Sequence, residues 1–158
     1  NLLKYIENFT ERMFKDCLPV YSLEAACGKF GEGQEVECEG WVEVKDMKIN
    51  EKMFVVKAIG RSMEPKITDG DYCIFEAGII GTRNNLIVLA QHSGIYDSET
   101  GGSYTIKKYT SEKQYADDET WNHKSIILKP ENDSFSPIIL DNIGNQEVKI
   151  IGKFIKVL

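Results

Sequence analysis

The chain has 158 residues, with 19 basic and 25 acidic side chains, a formal net charge of −6 and 42% hydrophobic residues. This composition is typical of one folded domain with a sizeable core. The negative charge argues against DNA binding by this chain alone, because nonspecific DNA affinity comes from neutralising phosphates. The longest apolar run, 86–90, is far shorter than the roughly 20 residues of a membrane helix, and no secretory leader is recognisable. We therefore expect a cytoplasmic protein without membrane contact, which meets DNA only through a segment absent from this chain.

The cysteines and histidines are too scattered for a metal site or a disulfide framework. No two cysteines have the C-x-x-C spacing of zinc ligands, so we expect reduced thiols, no metal and no cofactor. Neither histidine lies in a catalytic motif, and an exposed surface position is the expected account of each. These residues are Cys17, Cys27, Cys38, Cys73, His92 and His123.

The first segment has helical periodicity. Leu2, Ile6, Phe9 and Met13 recur at i, i+4, i+7 and i+11, which predicts an amphipathic helix over residues 1–17 that ends before the first proline. A single helix does not make a helix-turn-helix module. We therefore treat 1–17 as an N-terminal helix or the remnant of a preceding segment.

From residue 18 onward the pattern is mainly β. Residues 18–31 are small and punctuated by glycine, which indicates a loop or edge segment. Short runs rich in Val, Ile and Tyr follow, separated by Gly, Asn, Asp and Pro turns, which predicts one β barrel or sandwich domain over 18–158. Residues 94–103 and 111–123 are expected to be exposed hairpin loops. The predicted strands are 35–44, 53–59, 72–75, 86–90, 104–109, 126–128 and 148–155.

Ser62 is a candidate nucleophile. It follows a strand, with Gly60 before it and Pro65 after it, so it occupies a rigid corner near backbone N–H groups. The alternative is a serine that merely caps a turn.

Lys107 is a candidate base for that serine. Strand alternation places Thr105 and Lys107 on one face and Lys108 on the other. If the Thr105 face is enclosed, burial disfavours the ammonium, and a neutral amine beside Ser62 can take its proton. The alternative is a pair of lysines that keep an edge strand soluble.

Four motifs together carry a family resemblance. In chain order they are G-R-S-M-x-P-x-I-x-D-G-D, T-I-K-K-Y, L-K-P-E-N-x-x-F-x-P-I and I-I-G-K-F-I. The chain resembles the LexA/UmuD-like family of self-cleaving Ser–Lys peptidases over roughly 18–158. The resemblance implies that Ser62 is the nucleophile and Lys107, rather than Lys108, the base. Gly60, Met63 and Thr105 would support the site, with the N–H groups of Ser62 and Met63 at the oxyanion.

The resemblance also implies a self-cleavage site. The family cuts a small-residue–glycine bond upstream of its serine, and Cys27–Gly28 fits that pattern, within a segment 18–31 that would fold over the cleft. The alternative is a turn of small residues. The chain departs from the family pattern in two longer loops, at 94–103 and 111–123.

The implied function is that of a regulator. The resemblance implies a repressor-type regulator of the bacterial DNA-damage response, activated by a recombinase–ssDNA filament. The apolar segment 148–158 indicates a homodimer, because such a strand can pair with a second copy. The alternative is a dimerisation or regulatory domain with little proteolysis, in a polymerase accessory protein or a larger helicase- or restriction-type protein.

Overall fold

The structure, a computed structural model, describes residues 3–114, 123–141 and 148–158. Within these ranges nine strands form one mixed sheet, and a helix packs against it. The predicted mainly β fold is confirmed. The elements are β1 (Cys17–Tyr21), α1 (Leu23–Glu32), β2 (Gly40–Glu43), β3 (Met53–Lys57), β4 (Tyr72–Glu76), β5 (Ile87–Gln91), β6 (Tyr104–Gln114), β7 (His123–Lys129), β8 (Ile138–Leu140) and β9 (Lys149–Val157).

The strand order is β2-β1-β3-β4-β9-β5-β6-β7-β8. β1 and β3 are parallel, and the other neighbouring strands are antiparallel. β9 lies inside the sheet, paired with β4 on one side and β5 on the other. Neither edge of β9 is therefore free for pairing with a second copy, which was the mode of dimerisation predicted from residues 148–158. Homodimerisation by another surface stays a prediction.

The two faces of the sheet bury different side chains. In β3, Phe54 and Val56 pack with α1 residues such as Leu23, whereas Met53 and Val55 belong to a second cluster on the opposite face. This alternation follows from the period of two along a strand. A third cluster lies between β5, β6 and β7. The site described below lies beside α1, whose Leu23 lines its pocket.

The predicted N-terminal helix over 1–17 is wrong. Residues 3–16 run in turns and bends, and the first two residues lie outside the described ranges. Asn8 and Phe14 have φ angles of 56° and 60°, which a continuous right-handed helix does not allow. The aromatic residues of this segment pack individually and do not form one helical face. Phe9 stacks on Trp41 with ring centroids 5.5 Å apart, and Phe14 meets the same ring edge-on at 5.1 Å.

The predicted loop over 18–31 is also wrong, because it contains most of β1 and of α1. The side chain of Ser22 caps α1 by accepting a hydrogen bond from the N–H of Ala25 at 3.1 Å. Gly33 ends the helix with φ 67°, and its N–H bonds to the carbonyl of Gly28. Residues with good helix propensity between these two caps overcame the glycine punctuation.

The structure agrees with the first of the two predicted hairpin loops more fully than with the second. Residues 94–103 do connect β5 to β6, but Ile95 and Asp97 within them are buried. Of the second loop, residues 111–114 belong to β6, residue 123 begins β7, and 115–122 lie outside the described residues. The 94–103 connection therefore reaches into the protein interior.

Candidate active site

Ser62 lies in a turn that is tied down from two sides. Before it, Gly60 adopts φ 97° and donates its N–H to Asp69 Oδ1 at 2.7 Å. On the other side, the Asn132 N–H bonds to the Ser62 carbonyl at 2.9 Å, and Asn132 Nδ2 bonds to the Arg61 carbonyl at 3.1 Å. Asn132 comes from the L-K-P-E-N motif, so two distant sequence motifs fix the backbone that carries the Ser62 side chain.

The structure brings Lys107 and Ser62 together. Lys107 Nζ lies 2.8 Å from Ser62 Oγ and 2.8 Å from Thr105 Oγ1. Both members of the pair are buried, Lys107 at 4% and Ser62 at 6% exposure. Lys108 points the other way and pairs with Glu131 at 3.5 Å. Strand alternation thus separates the adjacent lysines into an enclosed amine and a surface ion pair.

Apolar side chains surround the pair. The pocket beside Ser62 and Lys107 is lined by Leu23 of α1 and by Met63, Ile67 and Ile106. Burial among these groups lowers the pKa of Lys107, while the nearby carboxylates of Asp97 and Glu99 act in the opposite direction. Burial is the larger effect, so the enclosure favours loss of the ammonium proton.

Asp97 is a member of this site that sequence reasoning missed. Its Oδ2 accepts a hydrogen bond from Thr105 Oγ1 at 2.6 Å and lies 3.6 Å from Lys107 Nζ. Because the Thr105 hydroxyl donates its proton to Asp97, its lone pairs are left to accept an N–H of Lys107. A neutral Lys107 oriented in this way can turn its own lone pair towards Ser62.

Glu99 is a second missed residue. Its Oε2 accepts the Arg61 N–H at 2.6 Å, and its Oε1 accepts the Ser62 N–H at 3.3 Å. A β-carbon at Gly60 would collide with this carboxylate, so glycine at that position makes room for it. No short sequence motif identifies Asp97 or Glu99 as site residues, because both reach the site through the extended 94–103 connection.

The predicted cleavage bond lies inside α1. Cys27 is buried at 1% exposure, and burial raises the pKa of its thiol to about 12. The thiol is therefore not a nucleophile near neutral pH. Cys27 and Gly28 have helical rather than extended backbone, so this structure does not present the bond between them as a bound peptide substrate.

The remaining predicted residues converge on the serine. Gly60 and Met63 flank the Ser62 turn and line its pocket, and Thr105 is fully buried beneath Lys107. In the described ranges, no group of three or more His, Cys, Asp or Glu side chains is placed to hold a metal ion. Among those same residues, no helix has the length and apolar character needed to span a bilayer.

Comparison with known proteins gives one family. The family model described as Peptidase S24-like matches residues 19–155. The chain is 30% identical over 110 residues to a LexA repressor of Clostridium botulinum (strain Langeland), covering 69% of this chain and 43% of that protein. It is 29% identical over 110 residues to a LexA repressor of Clostridium perfringens (strain 13), covering 69% and 42%. The chain thus spans less than half the length of the curated relatives it matches.

Proposed function

This chain belongs to the Peptidase S24-like family, and we propose that it is a serine endopeptidase domain in which Ser62 and Lys107 form the catalytic dyad. The observation that carries the proposal is the 2.8 Å contact between two buried side chains, Lys107 Nζ and Ser62 Oγ. An amine held out of water beside a hydroxyl is the arrangement that Ser–Lys catalysis needs.

The chemistry follows from these contacts. Neutral Lys107 takes the proton of Ser62 Oγ, and the oxygen forms a bond to the substrate carbonyl carbon. The lysine ammonium then gives that proton to the leaving amine nitrogen as the C–N bond breaks, which leaves an acyl ester on Ser62. Lys107, neutral again, removes a proton from a water molecule as the water oxygen attacks the ester carbonyl carbon. The lysine ammonium then returns this proton to Ser62 Oγ as the ester C–O bond breaks, which releases the acid and restores the dyad.

Backbone donors supply the electrostatic part of the mechanism. The N–H groups of Arg61 and Ser62 both point at one carboxylate, that of Glu99. We assign these two groups to the oxyanion, in place of the pair Ser62 and Met63 expected from the sequence. Fixed donors beside the nucleophile stabilise developing negative charge without reorganising during the reaction.

The substrate that we propose is the chain itself, at Cys27–Gly28. Peptide carbonyls inside a helix accept hydrogen bonds from residues four further on, so α1 must unwind before the bond can enter the cleft. We further propose that the domain regulates the bacterial DNA-damage response from the cytoplasm as a repressor-type homodimer. A recombinase–ssDNA filament would promote the cut.

Self-cleavage at alkaline pH tests this proposal. The purified chain is incubated at mildly alkaline pH, with and without a recombinase–ssDNA filament, and the fragments are analysed by mass spectrometry. We expect two fragments divided between Cys27 and Gly28, and none from Ser62→Ala or Lys107→Ala. Intact wild-type chain under both conditions would contradict self-cleavage. A cut that persists in Ser62→Ala would contradict the dyad.

One observation favours a second function. Because Cys27 is buried in a capped helix, the same fold suits a regulatory or dimerisation domain with little proteolysis, as part of a polymerase accessory protein or of a larger helicase- or restriction-type protein. A cellular assay of regulation separates the two functions, because both of them allow a dimer. Regulation that survives both Ser62→Ala and Lys107→Ala would favour the regulatory domain.

A further inference from the structure

The carboxylate of Glu99 lies on the two N–H groups that we assign to the oxyanion. Its two oxygens accept the N–H groups of Arg61 and Ser62, at 2.6 and 3.3 Å. The second of these groups belongs to the nucleophile itself. Two consecutive backbone donors that converge on one anion form a site for negatively charged oxygen. In this structure the occupant of that site is a side chain of the same protein.

The connection between β5 and β6 holds Glu99 in place. Asp97 Oδ1 accepts the N–H of Glu99 at 2.8 Å and that of Thr100 at 3.4 Å. The backbone closes around this turn, since the Gly101 N–H bonds to the Asp97 carbonyl at 2.7 Å. Asp97 is itself buried and bonded to Thr105. Glu99 is therefore presented from an anchored turn and not from a free chain.

The turn that contains Gly60, Arg61 and Ser62 has room and hydrogen-bond donors for the carboxylate of Glu99. Gly60 has φ 97°, and a β-carbon there would overlap the carboxyl group of Glu99. The Gly60 N–H is already taken by Asp69, whereas the N–H groups of Arg61 and Ser62 both bond to Glu99. The absent side chain of Gly60 leaves space for the Glu99 carboxylate, and the two backbone N–H groups bind it.

We propose that Glu99 is an intramolecular inhibitor that fills the oxyanion site of the Ser62–Lys107 dyad, and that a substrate carbonyl must displace it before acylation. The inference rests on the proposed function, because it needs Ser62 to be a nucleophile. The carboxylate resembles the acid product of peptide hydrolysis, with two oxygens where the acyl group would lie. The ligand class for the emptied site is accordingly a carboxylate, such as a peptide C-terminus.

The test measures how fast a fluorophosphonate probe labels Ser62, by intact mass, since its phosphoryl oxygen requires the same donors. We expect labelling at least tenfold faster in Glu99→Ala than in the wild type. Glu99→Asp keeps the charge but shortens the reach, so it should also be labelled faster. Glu64→Gln is the matched control, because Glu64 contacts the Arg61 side chain at 3.2 Å instead of the backbone. It should be labelled at the wild-type rate.

Two results would overturn the inhibitory role while leaving the dyad intact. One is equal labelling of the wild type and Glu99→Ala. The other is fast labelling of Glu99→Gln with wild-type labelling of Glu99→Asp, which would reduce Glu99 to a charge acting on Lys107. Absence of labelling in every variant would instead overturn the proposed function, and inhibition with it. The amide proton shifts of Arg61 and Ser62 follow the contact separately: an unchanged spectrum in Glu99→Ala would show that it does not form.

Discussion

Replacing Asp97 by asparagine should make the dyad active at lower pH. Asp97 Oδ2 lies 3.6 Å from Lys107 Nζ, and both groups are buried. At an effective dielectric constant of about 20, unit charges at that distance attract by about 4.6 kcal/mol. That attraction raises the pKa of Lys107 against the lowering by burial, so its removal lowers the pKa further.

The size of the effect follows from that energy. Each 1.36 kcal/mol changes the ratio of neutral amine to ammonium about tenfold. If only about a third of the attraction is lost, the fraction of neutral Lys107 rises about tenfold at any pH well below the pKa of Lys107. At high pH Lys107 is neutral in both proteins, so the maximal rate of Ser62 labelling in Asp97→Asn should not exceed that of the wild type.

The assay is the rate of Ser62 labelling by a fluorophosphonate as a function of pH. Asparagine keeps the shape of the side chain and an oxygen that can accept the N–H groups of Glu99 and Thr100. The matched control is Glu131→Gln, which removes the partner of Lys108 and should leave the profile unchanged. An Asp97→Asn profile that coincides with the wild type, or moves to higher pH, would refute the electrostatic reasoning.

Three further variants test the turn, the helix and the core. Asn132→Asp should slow Ser62 labelling with little change in melting temperature, because an oxygen replaces the donor to the Arg61 carbonyl; an unchanged rate would contradict that role. Ser22→Ala removes the α1 cap and costs about 1 kcal/mol. If unwinding of α1 limits self-cleavage, the variant should be cut about fivefold faster with labelling by the probe unchanged, and an unaltered cleavage rate would argue against that limit. Phe54→Ala should lower the free energy of unfolding by about 3–5 kcal/mol in urea, since this fully buried ring stacks on that of Phe30 at 4.3 Å; a loss below about 1 kcal/mol would contradict its place in the core.

Local rules were sufficient where one strand decides the outcome. The face of β6 follows from alternation, which is why the amino-acid sequence alone pairs Thr105 with Lys107 and sets Lys108 apart. The corner at Ser62 follows similarly from a strand that runs into a glycine. The same rules failed over 1–17, because the apolar spacing of a helix is also met when single side chains pack on Trp41 from a turning chain.

The helix α1 was predictable in principle. Ser22 before Leu-Glu-Ala-Ala is a capping signal, and Gly33 is a stop signal eleven residues later. Asp97 and Glu99 are different, because their roles depend on how one connection folds back between strands. Nothing in the spacing of those two acids specifies that one faces an amine and the other a pair of backbone N–H groups.

The position of α1 links access to the site with stability. Leu23 lines the pocket of the dyad, and Cys27 packs in the same apolar cluster as Met63. The proposed delivery of Cys27–Gly28 to Ser62 would therefore remove part of the apolar wall that shields Lys107 from water. Unwinding would also expose the buried residues Leu23, Ala26 and Cys27, which costs roughly 25 cal/mol for each Å² of apolar surface. A partner that binds the unwound segment would offset this cost and cover the pocket again. For that reason, the proposed cleavage of the resting chain should need less free energy when a bound filament holds the unwound segment than when the chain unwinds alone.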